Sequence, residues 1–241
     1  MKKVLYLGDG PKNGPACYLL GVLKYAGFSV SHVEPCQTLS SSLMKKKYSL
    51  IILSDYSRHN LKQNQIKWIE NAVKNGTNFL MIGGWCSFNG FGNGYKGSVI
   101  EKILPVTCLN RDDRRNLASG AVFDRARVSH SALKKISLKP SPVLIGYNEV
   151  RKKQAARVLL GIRENERKKK SPLLVIGHFG NGTTAAWTSD LAPHWCGGLL
   201  DWGKKRLKLK VDQKIGVEVG ETYVKFFSLL LKWPSGKGKQ N

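Results

Sequence analysis

The chain has 241 residues, 41% of them hydrophobic, which is enough to bury a substantial core. Its net charge of +24 favours anionic partners such as nucleic acid, but it is equally typical of a solubilising basic surface. Five cysteines without CxxC spacing argue against a disulfide framework or a zinc ribbon, and no apolar run is long enough to span a bilayer. We therefore expect a reduced, cytoplasmic protein with no signal peptide and no membrane partner.

The first part of the chain alternates between apolar strands and amphipathic helices. Strands are predicted over residues 4–8, 28–33, 48–53 and 78–82, and helices over 16–26, 38–46 and 64–75. This alternation predicts a parallel sheet with right-handed crossovers. Ligands bind beyond the carboxyl ends of such strands, which here carry Asp9, Asp55 and the segment 83–87.

The second part of the chain has a different pattern. It predicts a short helix at 99–104, a polar loop at 111–115, a helical turn at 133–136, strands at 157–162, 173–178 and 183–188, and a terminal helix at 222–231. A Gly-Asn-Gly turn at 180–182 joins two of these strands as a hairpin. We expect an antiparallel extension of the parallel sheet within a single domain over residues 1–241, since no linker is evident.

The loop after the fourth predicted strand holds the most informative residues. Six glycines between 83 and 97 surround one thiol, Cys86, and the aromatic residues Trp85, Phe88, Phe91 and Tyr95. The loop is either a tightly packed turn without chemistry or a loop that presents Cys86 as a nucleophile. A glycine-rich loop cannot bury four aromatic side chains alone, so we expect the antiparallel half or a second subunit to cover it, and we predict a homo-oligomer.

Three segments together resemble a known family. They are 83–88 (GGWCSF), 146–148 (GYN) and 188–195 (TSDLAPHW), and the similarity extends from the first strand to about residue 203. The chain is similar to the class I glutamine amidotransferase-like superfamily, in particular its "putative glutamine amidotransferase" branch. The resemblance implies a flavodoxin-like α/β sandwich and a small-molecule substrate carrying an amide.

The resemblance also implies a set of catalytic residues, which this chain matches in part. Cys86 lies where the superfamily places its nucleophile, with the small residue Gly84 two positions before it, whereas Phe88 stands where a second small residue is expected. His194 lies where the superfamily has its catalytic histidine. A glycine pair that contributes to the oxyanion hole is replaced by 54–56 (SDY).

The acid that would orient the histidine is displaced in this chain. Its usual position holds Cys196, so Asp190 or Asp201 would have to substitute. The predicted catalytic residues are Cys86, His194 and Asp190. The predicted ligand-binding residues are Asp9, Asp55, Gly84, Trp85, Ser87 and Trp195.

Other interpretations remain open at this level. Asp9 and Asp55 are site carboxylates or caps of loops and helices, and Cys86 is a nucleophile or a small buried residue. The protein is an amide hydrolase, a non-catalytic ligand-binding or scaffold member of the same fold, or a nucleic-acid-binding protein that uses the basic segments 151–170 and 204–210. No residue spacing indicates a metal site, and no motif indicates a cofactor.

Overall fold

The computed structural model describes residues 1–92, 94–124 and 131–232. The strands are β1 (Lys3–Gly8), β2 (Ser29–Val33), β3 (Leu50–Ser54), β4 (Asn78–Ile82), β5 (Val106–Cys108), β6 (Arg114–Asp124), β7 (Leu144–Asn148), β8 (Val150–Lys152), β9 (Arg157–Glu164), β10 (Lys170–Phe179), β11 (Gly182–Trp187), β12 (Arg206–Lys210) and β13 (Gly216–Gly220). The α-helices are α1 (Ala16–Tyr25), α2 (Ser41–Met44), α3 (Gln63–Lys74), α4 (Val99–Ile103), α5 (Ser131–Lys134), α6 (Pro193–Cys196) and α7 (Glu221–Lys232). Within these ranges, no helix has both the length and the apolar character that crossing a membrane requires.

Nine strands form one sheet in the order β2-β1-β3-β4-β11-β10-β9-β6-β7. The strands from β2 to β11 pair in parallel. From β11 to β7 all pairs are antiparallel, so the second half of the chain extends the same sheet. The predicted mixed α/β architecture, with a central parallel sheet and added antiparallel strands, is confirmed.

Both faces of the parallel sheet are covered by separate cores. Val4 and Tyr6 of β1 belong to the core that includes α1 and α7, whereas Leu5 and Leu7 belong to the core that includes α3 and α4. Successive side chains of a strand point to opposite faces. A strand covered on both sides therefore needs a largely apolar run, and β1, β3 and β4 have one, whereas the edge strand β2 alternates and is only partly buried.

Three local expectations differ from the structure. The predicted polar loop at 111–115 is wrong in its second half, because β6 begins at Arg114. The helix predicted over 38–46 is reduced to the single turn of α2. The segment 204–210, interpreted only as basic, contributes β12, because Leu209 packs into the core while Lys208 and Lys210 face solvent.

The aromatic residues of the loop after β4 are not exposed together. Phe88 and Tyr95 are fully buried in the core that includes α3 and α4, and the Tyr95 hydroxyl donates to the carbonyl of Tyr56. That core also contains Val150 and Val175 of the antiparallel half, so this half of the chain helps to cover the loop, which is one of the two alternatives expected from the sequence. Trp85 and Phe91 remain 38% and 52% exposed, and the homo-oligomer stays a prediction.

Candidate ligand-binding cleft

A cleft of about 650 Å³ lies at the carboxyl ends of β1, β3, β4 and β11. It is lined by Asp9, Gly10, Pro15, Pro35, Asp55, Trp85, Cys86, Asp190, Ala192, Pro193 and His194. Each of the four strands delivers at least one polar side chain to it, because each strand ends just before a lining residue. This is where an open parallel sheet places its ligand site.

The turns after β1 and β3 have an unusual backbone conformation. Asp9 and Asp55 have φ values of 57° and 48°, which few residues other than glycine, asparagine and aspartate adopt readily. The two turns are in direct contact, since the Asp9 amide donates to the carbonyl of Ser54 at 3.0 Å and a Cβ at Gly8 would lie 1.4 Å from that oxygen. Backbone outliers of this kind cluster at ligand sites.

Asp55 is held by the loop that follows β4. The Cys86 amide donates to Asp55 Oδ1 at 2.8 Å, and the Asp55 amide donates in return to Ser87 Oγ at 3.1 Å. A Cβ on Gly84 would lie 2.1 Å from the same carboxyl oxygen. Asp55 therefore lines the cleft and also holds this loop in place by hydrogen bonds. Gly84 and Ser87 contact Asp55 but do not line the cleft.

Asp190 closes the turn between β11 and α6. Its Oδ1 accepts hydrogen bonds from the amides of Leu191 and Ala192 at 2.6 and 2.9 Å. The side chain is almost completely buried, with 3% of the residue exposed. Within the described residues it makes no hydrogen bond to His194, so the predicted orienting pair is not formed in this structure.

The three carboxyl groups of the cleft influence one another. Burial raises the pKa of Asp9 to about 7, and the charge of Asp55 contributes. Burial also raises the pKa of Asp55 to about 6. The pKa of Asp190 lies well above its usual range because of burial and of the charges on the other two. No lysine, arginine or histidine among the described residues forms a salt bridge with any of them.

Cys86 lines the cleft but lacks the surroundings of a reactive thiol. Its side chain is half-buried, and burial raises its pKa, with a further increase from the charge of Asp55 and a smaller opposing effect of Arg114. Its sulfur makes no hydrogen bond within the described residues. A nucleophilic cysteine needs the opposite conditions, namely a nearby positive charge or base that stabilises the thiolate.

His194 is bonded to a tryptophan instead of the cysteine. The Trp85 indole Nε1 donates to His194 Nδ1 at 2.9 Å. A neutral imidazole that accepts at Nδ1 carries its proton on Nε2 and has no nitrogen left to act as a base. Desolvation lowers the pKa of His194, which favours this neutral form at pH 7.

Trp195, predicted to bind ligand, lies in the interior. It is 1% exposed, its indole nitrogen donates to Asn116 Oδ1 at 2.8 Å, and its ring lies so close to Gly146 that a Cβ there would be 2.3 Å from it. Asp201, the alternative acid, forms a salt bridge with Arg206 on the surface. Neither residue lines the cleft.

One buried polar network behind the cleft had no role in the sequence predictions. Asn148 Nδ2 donates to Asp113 Oδ1 at 2.9 Å and to the Gly84 carbonyl at 3.1 Å, while the Gly84 amide donates to Asn148 Oδ1 at 2.9 Å. The Asn89 amide donates to the other oxygen of Asp113 at 2.8 Å. Both Asp113 and Asn148 are fully buried, and burial raises the pKa of Asp113 to about 7. The available signal in the sequence was Asn148 itself, a polar residue at the end of the otherwise mostly apolar β7, since a buried amide needs hydrogen-bond partners.

The exposed rim of the cleft is aromatic and cationic. The guanidinium carbon of Arg114 lies 3.6 Å from the centroid of Phe91 and 4.9 Å from that of Trp85. A salt bridge of 2.6 Å to Asp112 holds the same guanidinium group. The rim is therefore assembled from the loop after β4 and from the start of β6.

Sheet order and cleft define a mixed α/β protein with its candidate site at the carboxyl ends of parallel strands. The chain belongs to the family described as "Putative glutamine amidotransferase", whose model matches residues 17–213. The resemblance found in the sequence is thereby confirmed. No curated protein matches the chain.

Several solved structures are similar. "Cytoplasmic Protein STM3548" from Salmonella typhimurium is 26% identical, with a TM-score of 0.76 over 96% of this chain and 98% of that one. "Cytoplasmic Protein STM1381" from Salmonella typhimurium LT2 is also 26% identical, with a TM-score of 0.74 over 96% of this chain and 99% of that one. The "mmIFT52 N-terminal domain" matches over 100% of both chains with a TM-score of 0.62, but at 12% identity it shares the fold alone.

Proposed function

We propose that the protein binds a small organic cation, a molecule carrying an ammonium group, in the cleft formed by Asp9, Asp55 and Asp190. One observation carries this proposal: three carboxyl groups line one cleft, those of Asp9 and Asp190 buried and that of Asp55 partly buried, and no cationic side chain of the described residues forms a salt bridge with them. An ammonium group would supply the missing counter-charge and donate charge-assisted hydrogen bonds. Binding would require no covalent step at Cys86.

The dimensions of the cleft support a small molecule. Its volume of about 650 Å³ lies within the range of roughly 300–1,000 Å³ that small-molecule sites occupy. Trp85, Pro35 and Pro193 provide apolar walls around the carboxyl groups. Although three carboxyl groups line the cleft, no group of three or more His, Cys, Asp or Glu side chains in the described part of the chain is placed so that it could hold a metal ion, and we therefore propose an organic cation.

Binding of a cation should depend on pH. The pKa values of Asp9 and Asp55, about 7 and about 6, mean that these groups lose protons between pH 5 and 8. A cation binds the ionised carboxylates, so its affinity should increase as the pH rises through this window. A neutral ligand that only accepts hydrogen bonds from protonated carboxyl groups would show the opposite dependence.

A second candidate function is amide hydrolysis at Cys86. It is favoured by the position of the thiol, which lines the cleft directly after β4 in a family named for this chemistry. It requires His194 to exchange its bond with Trp85 for one with the thiol, and it requires Cys86 to ionise beside Asp55. Both requirements count against it, so we place it second.

One experiment separates the two functions. We would titrate 1,4-diaminobutane, L-glutamine and the neutral control acetamide by isothermal titration calorimetry at pH 5.5 and 8, and measure ammonia release from glutamine. We expect an amine to bind at pH 8, to bind more weakly at pH 5.5 and to lose affinity in Asp190→Asn, whereas Cys86→Ser binds normally. Ammonia release that Cys86→Ser abolishes would establish the hydrolase, and absence of amine binding would refute the binding function.

We also propose the fold type, the cellular location and the domain number that the sequence predicted. The parallel order β2-β1-β3-β4-β11 supports a flavodoxin-like arrangement. The two similar Salmonella proteins are named as cytoplasmic proteins, which supports a cytoplasmic location, and we retain a single domain over 1–241. Nucleic-acid binding stays a prediction with less support, because Lys169, Lys170 and Arg206 of the two basic segments already form salt bridges within the chain.

A further inference from the structure

A second pocket lies at the other end of the parallel strands, where β3 and β4 begin. Its volume is about 560 Å³. It is lined by Met44, Lys45, Lys46, Lys47, Tyr48, Ile51, Trp68, Ala72, Asn75, Gly76 and Thr77. None of these residues belongs to the acidic cleft, so a ligand here would be independent of the proposed function.

The pocket carries uncompensated positive charge. Lys45, Lys46 and Lys47 are consecutive, exposed and without a salt bridge to any described residue. On the neighbouring helix α3, Glu70 is already paired with Lys67 at 2.7 Å. The like charges of three lysines that line one pocket repel one another, and an anion bound there would relieve that repulsion.

Tyr48, which lines this pocket, has a buried hydroxyl group without a partner. Tyr48 is 8% exposed, and its hydroxyl oxygen forms no hydrogen bond. Its ring packs edge-on against Trp68 with centroids 6.3 Å apart. Buried hydroxyl groups nearly always have a hydrogen-bond partner, so an unpaired one beside a pocket indicates where a ligand oxygen would sit.

We propose that this pocket binds a small phosphorylated molecule with an aromatic or apolar portion. The phosphate contacts Lys45, Lys46 and Lys47, whose ammonium groups bind phosphate as compact point charges. The apolar portion lies against Trp68, and the Tyr48 hydroxyl donates to an oxygen of the ligand. The pocket is large enough for both parts of such a molecule.

Phenyl phosphate is the ligand that tests the proposal. Phenol and inorganic phosphate, which correspond to its apolar and its anionic portion, are the comparison ligands. We would titrate each into ¹⁵N-labelled protein and follow the indole N–H signal of Trp68, assigned by its loss in Trp68→Phe. We expect phenyl phosphate to shift this signal at lower concentration than either comparison ligand. Replacing Lys45, Lys46 and Lys47 by glutamine should weaken binding about tenfold or more, since each charged contact contributes more than a neutral hydrogen bond.

A matched variant controls for net charge. Replacing Lys204, Lys208 and Lys210 by glutamine removes the same charge outside the pocket, and it should leave the affinity unchanged. Tyr48→Phe should weaken phenyl phosphate by about fivefold without lowering the melting temperature, because the hydroxyl removed had no partner in the free protein.

Three results would refute the proposal that this pocket binds a phosphorylated molecule. The first is the absence of any Trp68 shift at millimolar phenyl phosphate. The second is equal weakening in both lysine variants, which would indicate diffuse charge attraction. The third is an oligonucleotide that binds wild type and the control variant alike while phenyl phosphate causes no shift, which would assign the lysines to a nucleic-acid surface.

Discussion

Replacing Asp9 by asparagine should stabilise the protein at pH 8. The folded protein must then carry a buried charge at Asp9, whose pKa of about 7 compares with an ordinary value of 3.8. Asparagine is neutral at every pH. It keeps an oxygen that can accept the hydrogen bond from the Tyr6 hydroxyl, and it tolerates a φ of 57°.

The size of the effect follows from the difference in pKa. A group whose pKa is raised in the folded state contributes its stability below the unfolded pKa and loses it as the pH rises through the folded pKa. A difference of about three units corresponds to about 4 kcal/mol at about 1.4 kcal/mol per unit. The free energy of unfolding of Asp9→Asn should therefore equal that of the wild type near pH 4 and be larger by up to about 4 kcal/mol at pH 8.

Urea unfolding followed by tryptophan fluorescence at pH 4, 6 and 8 would measure this difference. Asp212→Asn is the matched control, because Asp212 is exposed and the amides of Lys214 and Ile215 lower its pKa. The free energy of unfolding of this control, relative to the wild type, should not increase with pH. The argument would be refuted if Asp9→Asn were no more stable than the wild type at pH 8. It would also be refuted if the increase in the free energy of unfolding were the same at all three pH values.

Three further predictions concern other parts of the molecule. Cys86 should react with iodoacetamide at pH 7 no faster than a free model thiol, which labelling and mass spectrometry can compare with the exposed Cys36. Asn148→Ala should lower the free energy of unfolding in urea by about 3 kcal/mol or more, because it removes three buried hydrogen bonds. Light scattering should detect a homo-oligomer that moderate salt strengthens and Phe91→Ser weakens; a monomer at both salt concentrations would contradict this.

The parallel half of the fold could be predicted because its signals are local. The strands β1 to β4 begin and end within two residues of their predicted bounds, since β1, β3 and β4 are buried apolar runs and the edge strand β2 alternates with period two. Because ligands bind at the carboxyl ends of parallel strands, Asp9, Asp55 and Cys86 could be predicted to share one cleft, and the family resemblance added His194. The inference from strand ends needs only the order of elements along the chain, not their contacts.

The contacts that decide the chemistry could not be predicted in this way. Whether His194 has a nitrogen available to act as a base depends on Trp85, which is 109 positions away in the chain. The fate of Phe88 and Tyr95 depends on a core assembled from distant helices. The strand β6 was missed throughout, and it begins with Arg114 and Arg115, polar residues that no local pattern assigns to a sheet.

Asp55 also bears on which function this cleft can have. A hydrolase must offer backbone N–H groups to the oxyanion that forms during the reaction. In this protein the Cys86 N–H is already bound by the Asp55 carboxylate, which would repel an oxyanion and which also raises the pKa of the adjacent thiol. The same carboxylate attracts a positively charged group, and Asp9 and Asp190 reinforce that attraction. One residue at the end of β3 therefore opposes catalysis and favours the binding of a cation in the same cleft.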